Sequence, residues 1–262
     1  MVLAPQGVFR ICLTFCLAGF LALPCASLAS WCESYREGPL TAVKVVVDGD
    51  TLVTKDGTRV RLVGVNAPEV AHGGGGGEAF SNQARQLLRK LVAESGGQVR
   101  LRAAEAPRDH YGRLLAYVYA SNGASLAEAL VTAGLGVLLV VPPNEALGNC
   151  LGPAELTARR EGRGVWRRWP VKAKGLGREI AGFQVIRGRV QRVGRGRYSH
   201  WLELDGNLTV RIDHDDLASF SKPEILDLNG AEVEVRGWLT QGKDGPRVRV
   251  RHPTSLRRVG WQ

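Results

Sequence analysis

Val43-Lys44-Val45-Val46-Val47-Asp48-Gly49-Asp50-Thr51, turned by Lys55-Asp56-Gly57-Thr58 and answered by Arg61-Leu62-Val63-Gly64-Val65-Asn66-Ala67-Pro68-Glu69, decides how this chain folds. The β-branched run predicts a strand, and Asp56-Gly57 predicts a two-residue hairpin loop leading into its partner. Pairing Lys55 with Thr58 sets Asp50 opposite Val63. Side chains alternate faces along a strand, so Asp48, Asp50, Arg61 and Val63 are expected to share one face. Asp50 and Arg61 become diagonal neighbours, about 7–8 Å apart at Cα. A carboxylate and a guanidinium so placed can grip a metal and a phosphate between them. Pro68 ends the second strand and leaves Asn66 and Glu69 at a strand-to-loop exit, where functional groups often sit.

Asp109-His110-Tyr111-Gly112-Arg113 adds a second arginine. Carboxylates suit hard cations, which take oxygen ligands. Guanidinium forks match phosphate oxygens with paired hydrogen bonds, and fixed positive groups meet the charge that builds on phosphorus oxygens. One glutamate, Glu69, can activate water. Asp-Gly-Asp is common in turns and Tyr-Gly-Arg alone is uninformative. The ordered combination within one short domain points to phosphodiester hydrolysis.

On these motifs the chain resembles the staphylococcal nuclease (thermonuclease) family over about residues 40–166. The likeness extends to Leu115-Ala116-Tyr117-Val118-Tyr119, Leu126-Ala127-Glu128-Ala129-Leu130 and Gly164-Val165-Trp166. The resemblance implies calcium at Asp50, the scissile phosphate on Arg61 and Arg113, and Glu69 as general base. Asn66 and Ala67 complete the implied metal-holding positions, and His110 and Tyr111 the substrate contacts. The family's second metal-binding aspartate falls at Asn66, which keeps an oxygen but loses the charge. Its base-stacking tyrosines align with Leu139 and Val141, and the lysine before Tyr-Gly-Arg is His110.

Phe80, Ala84, Leu87, Leu88 and Leu91 lie at helical spacing within Glu78–Glu94, which Ser95-Gly96-Gly97 stops. Ser125 and Glu128 form a capping box for a second helix that closes at Gly134. Pro153 predicts the first turn of a third helix running to about Glu161. With strands near Gln98–Arg102, Leu114–Ala120 and Leu135–Val141, the pattern fits a small closed barrel of the oligonucleotide-binding type, mainly β with packed helices. The glycine run from His72 through Gly77 follows Glu69; an ordinary loop is favoured over a lid.

The expected organisation is a signal peptide at 1–29, a nuclease-like domain at 38–169, a linker at 170–178 and a second small barrel at 179–262. In the last, strands at 186–191, 200–204, 208–212, 232–238 and 247–251 are separated by Asp205-Gly206-Asn207 and Lys243-Asp244-Gly245-Pro246 turns. It holds no acid, base and arginine set of its own. Asp213-His214-Asp215-Asp216 is better explained by helix capping than by metal binding. Arg189, Arg192, Arg195 and Arg197 beside Tyr198 and Trp201 form a basic, stackable stretch suited to single-stranded nucleic acid.

The formal charge is +10, from 35 Lys+Arg against 25 Asp+Glu, with a pI near 9.8. That excess suits a polyanion, DNA or RNA, although solubility alone also accounts for it. Arg10 precedes a 13-residue apolar run, Ile11–Leu23, and Ser27-Leu28-Ala29 offers a signal-peptidase site, so a secreted or periplasmic protein is expected. Cleavage after Ala29 leaves Cys32 and Cys150, which are expected to pair. No later apolar stretch approaches twenty residues, so the mature protein is expected to be soluble; a monomer is expected. A calcium-dependent nuclease leads; a non-catalytic nucleic-acid binder with a weakened metal site is the alternative, and a scaffolding role has no positive support.

Overall fold

The computed structural model describes residues 30–71, 76–177, 179–220 and 225–260. The expected signal segment lies outside them, as do residues 72–75 of the glycine run.

The first unit comprises β1 (Leu40–Val46), β2 (Thr51–Thr54), β3 (Arg59–Leu62), β4 (Gly64–Asn66), α1 (Ser81–Glu94), β5 (Gln98–Arg108), β6 (Leu114–Tyr119), α2 (Leu126–Thr132), β7 (Val137–Leu139) and α3 (Gly148–Arg160). Strands β1-β2-β3-β6-β5 close into a barrel, with β3 and β6 parallel. Its interior is aliphatic: Leu52, Val60, Leu62, Val99 and Ala116 pack with Leu88 of α1 and Leu126 and Leu130 of α2. β4 pairs with β7 outside the barrel, so the strand expected at Leu135–Val141 is shorter and serves a separate ladder.

Two local expectations are corrected. The β2–β3 hairpin has a three-residue loop: Thr54 N–H donates to Thr58 O at 3.0 Å, and Gly57 takes φ 89°. Thr51 therefore pairs with Arg61, one residue away from the expected register. Thr54 and Thr58 accommodate the extra residue because the Asp56 carboxylate bonds both Thr54 Oγ1 and, at 3.1 Å, Thr58 N–H. The third helix starts at Gly148, so Pro153 lies inside it rather than at its first turn. A proline there forgoes a backbone bond, and the buried residues Leu151, Ala154 and Ala158 hold that turn instead.

Ser125 caps α2 as expected, accepting from Glu128 N–H at 3.3 Å. The Glu128 carboxylate does not complete the box. It accepts instead from Ser30 Oγ at 2.8 Å and Trp31 N–H at 2.6 Å, pinning the start of the described chain to α2. The expected Cys32–Cys150 disulfide is present and spans 118 residues.

The second unit has β8 (Val171–Lys172), β9 (Gly182–Arg195), β10 (Ser199–Leu204), β11 (Leu208–Asp213), β12 (Glu232–Gly242), β13 (Gly245–Arg249) and β14 (Leu256–Arg258). Pairing of β12 with β9 closes the ring β9-β10-β11-β13-β12, and β11 runs parallel to β13. The strand connectivity repeats that of the first barrel, around a core of Ile186, Leu202, Leu204, Val210 and Val235. The stretch expected to be a linker is structured: β8 adds to β9, and Ala173 is buried in the second core.

The two barrels are joined by an apolar cluster and by buried charge. Val137, Ala158 and Trp166 pack on Phe183 and Val185. Along β12 both faces are covered. Val233 and Val235 point into the barrel, while Glu234 and Arg236 face α3. Arg159 of α3 grips Glu234 with two hydrogen bonds of 2.6 Å, and Arg236 bonds Glu155 at 2.8 Å and Leu138 O at 3.0 Å. Burial alone would raise the Glu234 pKa, but Arg159 and then Arg257 hold it down at about 2.

Removing one partner of a buried pair strands the other charge at a cost of about 3–5 kcal/mol, so Glu234→Gln should destabilise the whole chain by that order in urea unfolding at pH 7. Because the folded pKa lies below the ordinary 4.5, the stabilisation is complete above pH 4.5 and is lost as pH falls toward 2. The gap between the native chain and Glu234→Gln should close over that window.

Candidate active site

Gly49 explains how two aspartates come to sit at the head of β2. A Cβ there would stand 2.5 Å from Ala67 Cβ and 2.6 Å from Ala84 Cβ, so only glycine lets the β1–β2 turn press against α1 and the loop after β4. Asp48 and Asp50 are buried by that approach. Asp50 precedes β2, where strict facial alternation no longer applies. It meets Arg61 despite the shifted register, with Asp50 Oδ2 at 2.9 Å from Arg61 Nη2. The proximity expected from the sequence holds, but for a different geometric reason.

Arg61 is buried and fully oriented. Its Nη1 donates to Leu62 O and Val65 O, both at 2.8 Å, and its Nη2 donates to Asn66 Oδ1 at 3.0 Å. Ala67 N–H donates to Asp50 Oδ2 at 2.7 Å. The guanidinium thus folds the β3–β4 turn around itself and fixes the exit that leads through Pro68 to Glu69. Burial pushes the Asp50 pKa up to about 7; Arg61 opposes the rise, while the charge of Asp48 adds to it.

Glu69 is exposed at the rim, beside the glycine run. Its N–H donates to Glu78 Oε2 at 2.9 Å, and Glu78 N–H donates to Glu69 O at 2.9 Å, so Glu78 clamps the two ends of that run together. The Glu69 pKa is raised by partial desolvation and by Asp48, while Arg61 and Arg113 pull it down. Arg61 and Arg113 thus both act on Glu69 through their charge; Arg61 sits on β3, and Arg113 immediately precedes its parallel partner β6. Arg113 is held by Asp109, whose Oδ2 accepts from Arg113 Nε at 2.7 Å and whose Oδ1 accepts from Arg113 N–H at 2.9 Å. That leaves the two terminal nitrogens of Arg113 without a protein hydrogen bond among the described residues. His110 and Tyr111 are exposed and lie ring to ring at 3.7 Å, with Arg113 5.5 Å from the Tyr111 ring.

Asp48, which the sequence already sets on one face with Asp50 and Arg61, lies beside these residues, as do Glu78 and Asp109, to which the sequence reading assigned no role. Asp48 was legible from its place beside Asp50. Asp109 was legible as the head of a turn four residues before Arg113. Glu78 had no local signal, because its partner lies across the glycine run.

An all-oxygen donor set with two buried aspartates suits a hard divalent cation; burial, with the neighbouring charge of Asp48, is what raises the Asp50 pKa. Asp48 and Asp50 fit such an ion. Asn66 and Ala67 stand differently: the Asn66 amide oxygen faces Arg61, and Ala67 offers Asp50 its N–H. Among the described residues no group of three or more His, Cys, Asp or Glu forms a ready-made metal cage.

The basic stretch of the second barrel is less available than its sequence implies. Glu203 holds Arg192 at 2.6 Å, Arg189 bonds Gly230 O, and Trp201 lies under Arg192 and against Gly194. Tyr198, stacked with Arg197 at the β9–β10 tip, is the outward aromatic there.

A family model described as "Staphylococcal nuclease homologue" matches residues 59–168. The chain is similar to the thermonuclease of Staphylococcus intermedius, 33% identical over 129 residues covering 48% of this chain and 75% of that protein. It is also similar to an uncharacterized endonuclease of Escherichia coli, 30% identical over 124 residues covering 46% of this chain and 72% of the other. A third relative, the SPbeta prophage-derived endonuclease YokF of Bacillus subtilis, is 33% identical over 127 residues, 47% of this chain and 42% of that protein. The family match takes in Arg61, Glu69 and Arg113 and stops before β9. An identity of 33% sustained over 75% of a thermonuclease is more than a shared barrel produces, and the chain belongs to the staphylococcal nuclease family.

Proposed function

We propose that this protein is an exported, divalent-metal-dependent nuclease that hydrolyses phosphodiester bonds of DNA or RNA. The observation that carries the reading is the parallel pairing of β3 with β6, Val60 beside Leu114, which sets Arg61 on one strand and Arg113 at the head of its neighbour while the chain after β3 leads on to Glu69. Membership of a family whose relatives are named thermonuclease and endonuclease supports it. Export rests on the signal-type sequence of residues 1–29.

In this reading the scissile phosphate is held by the terminal nitrogens of Arg113 and by the Arg61 Nη2 N–H that the Asn66 amide gives up, where fixed cations best stabilise its developing charge. Asp109 keeps Arg113 aimed by occupying its Nε. Glu69 takes a proton from the attacking water, and its raised pKa suits that task. Calcium or another divalent ion would be held by Asp50 with Asp48, and by Asn66 once its amide turns from Arg61. It would supply Lewis-acid charge to the phosphate. His110 and Tyr111 border the substrate, and the second barrel contributes nucleic-acid affinity without cutting.

The competing reading, a non-catalytic binder, is favoured by the Asn66 oxygen facing Arg61. Incubating matched DNA and RNA with the purified chain, with divalent ions or chelator and with end-group analysis of products, separates the two. Cleavage abolished by chelator supports the nuclease; binding without cleavage under every ion overturns it.

Two site predictions follow from the geometry. Losing one transition-state donor costs about 10²–10³ in rate, so Arg61→Lys and Arg113→Lys should each lose activity on that scale, since an ammonium cannot reproduce a fork. Glu69→Gln should lower kcat and leave KM nearly unchanged. Near-native turnover in any of the three removes that residue from the chemistry.

Only the carboxylate form of Asp50 can bind a hard cation, and its pKa is raised to about 7. Protons therefore compete with the ion below that value. The calcium concentration for half-maximal activity should rise about tenfold per pH unit below 7 and level off above it. Asn66→Asp, which adds a negative ligand, should lower the requirement. An unchanged half-saturating concentration would show that position 66 does not touch the metal.

A further inference from the structure

Pro68, the residue before Glu69, forms part of the wall of a cavity of about 520 Å³ between the two barrels. Its other walls include Phe80 at the start of α1, Arg168 and Trp169 after α3, and Ile180 and Phe183 leading into and along β9. The volume is in the range of small-molecule sites, about 300–1,000 Å³. Glu78, the clamp on Glu69, also lines it.

Three features mark this groove as built for a ligand with a flat aromatic face and a negative backbone. The first is an aromatic track. Trp169 lies 6.1 Å from Phe183, and Phe183 lies 5.1 Å from Trp238, whose ring is 51% exposed on the outer face of β12. The second is Phe80, held in left-handed backbone at φ 70°. Such strain in a non-glycine residue collects at ligand clamps. The third is closeness to the rim that carries Glu69. A Cβ at Gly182 would stand 3.0 Å from Glu78 Oε1, so the head of β9 passes beside the residue that bonds Glu69 N–H, with little room for a larger side chain. Arg168 is exposed at the mouth and adds a cation to a chain of formal charge +10.

We propose that this interdomain groove is a substrate subsite. A base of a single-stranded nucleic acid, neighbouring the phosphate held at Arg61 and Arg113, stacks on Trp169, while Arg168 meets the strand's backbone. The subsite rests on the nuclease reading above. It makes the second barrel part of the active site, because Phe183, Gly182 and Trp238 all lie beyond the family match. Base–aromatic stacking tolerates any sequence, since every base has a π-face.

The test uses the full chain and two readouts. In the first, single-stranded ten-nucleotide DNA carries one abasic position walked along its length. At the position that fills the groove, loss of the base should lower kcat/KM of the native protein about 5- to 100-fold. The same change should have no effect in Trp169→Ala, whereas Trp169→Phe, which keeps a ring, should retain most of the sensitivity. Arg168→Glu should raise KM for long strands and leave kcat intact. An identical abasic profile in native protein and Trp169→Ala overturns the proposal. In the second readout, oligonucleotides bearing 5-iodouracil are photo-cross-linked in calcium and the adducts mapped by mass spectrometry. Adducts at Trp169 or Trp238 support the groove, and adducts confined to the Tyr198–Trp201 tip overturn it. If no substrate is cut, the nuclease reading fails, and cross-linking alone still decides whether strands occupy the groove.

Discussion

The buried pair of Asp50 and Arg61 is the constraint on which the site depends. A guanidinium and a carboxylate taken out of water are costly unless every donor and lone pair is met. Here the arginine meets Leu62 O, Val65 O and Asn66 Oδ1 as well as the carboxylate, and Asp50 also receives Ala67 N–H. Satisfying those bonds leaves the β3–β4 segment little freedom. The chain must turn around the guanidinium and leave through Pro68 with Glu69 at the rim. Gly49 makes the closeness possible, since any side chain at that position would collide with Ala67 and Ala84. The chemistry of the rim is thus inherited from the packing of the barrel wall.

A second buried charge cluster ties the barrels together. Glu234 is almost completely enclosed and faces Arg159, Arg257, Arg187 and Arg236, while Arg236 leans on Glu155. Such a network contributes orientation more than net stability, because desolvation offsets most of the attraction. Orientation is what the groove beside Pro68 requires. Trp169 and Phe183 come from different units and line one cavity only while α3 stays registered against β12. The closeness of Gly182 to Glu78, which bonds Glu69 N–H, extends that registration to the loop after β4. Removing the second barrel is therefore expected to alter how the first handles long strands, beyond any loss of affinity.

Much of this architecture was legible in the chain. Alternation of apolar and polar residues marked the strands of both barrels, the Ser125 cap marked α2, and the linked motifs foresaw the closeness of Asp50 and Arg61. The errors were local ones of register and start. A glycine able to take φ 89° permits a three-residue loop where two were expected, and Pro153 is tolerated inside α3 because buried neighbours hold the turn. The union of the barrels left no local trace. Glu155 and Arg159 look like an ordinary polar helix face, and Glu234 and Arg236 like the solvent side of an alternating strand. They pair across 75 and 81 residues, a separation that no periodicity reports. Glu78 escaped notice for a similar reason, since its partner is fixed by closure of a loop rather than by helical or strand spacing.

The most direct measurement is a crystal structure of the Glu69→Gln protein with calcium and a short single-stranded oligonucleotide. One phosphate should lie with oxygens at hydrogen-bond distance, about 2.7–3.2 Å, from both Arg61 and Arg113, with the residue 69 side chain facing its phosphorus. A phosphate bound elsewhere on the barrel, or held by only one of the two arginines, would contradict that arrangement.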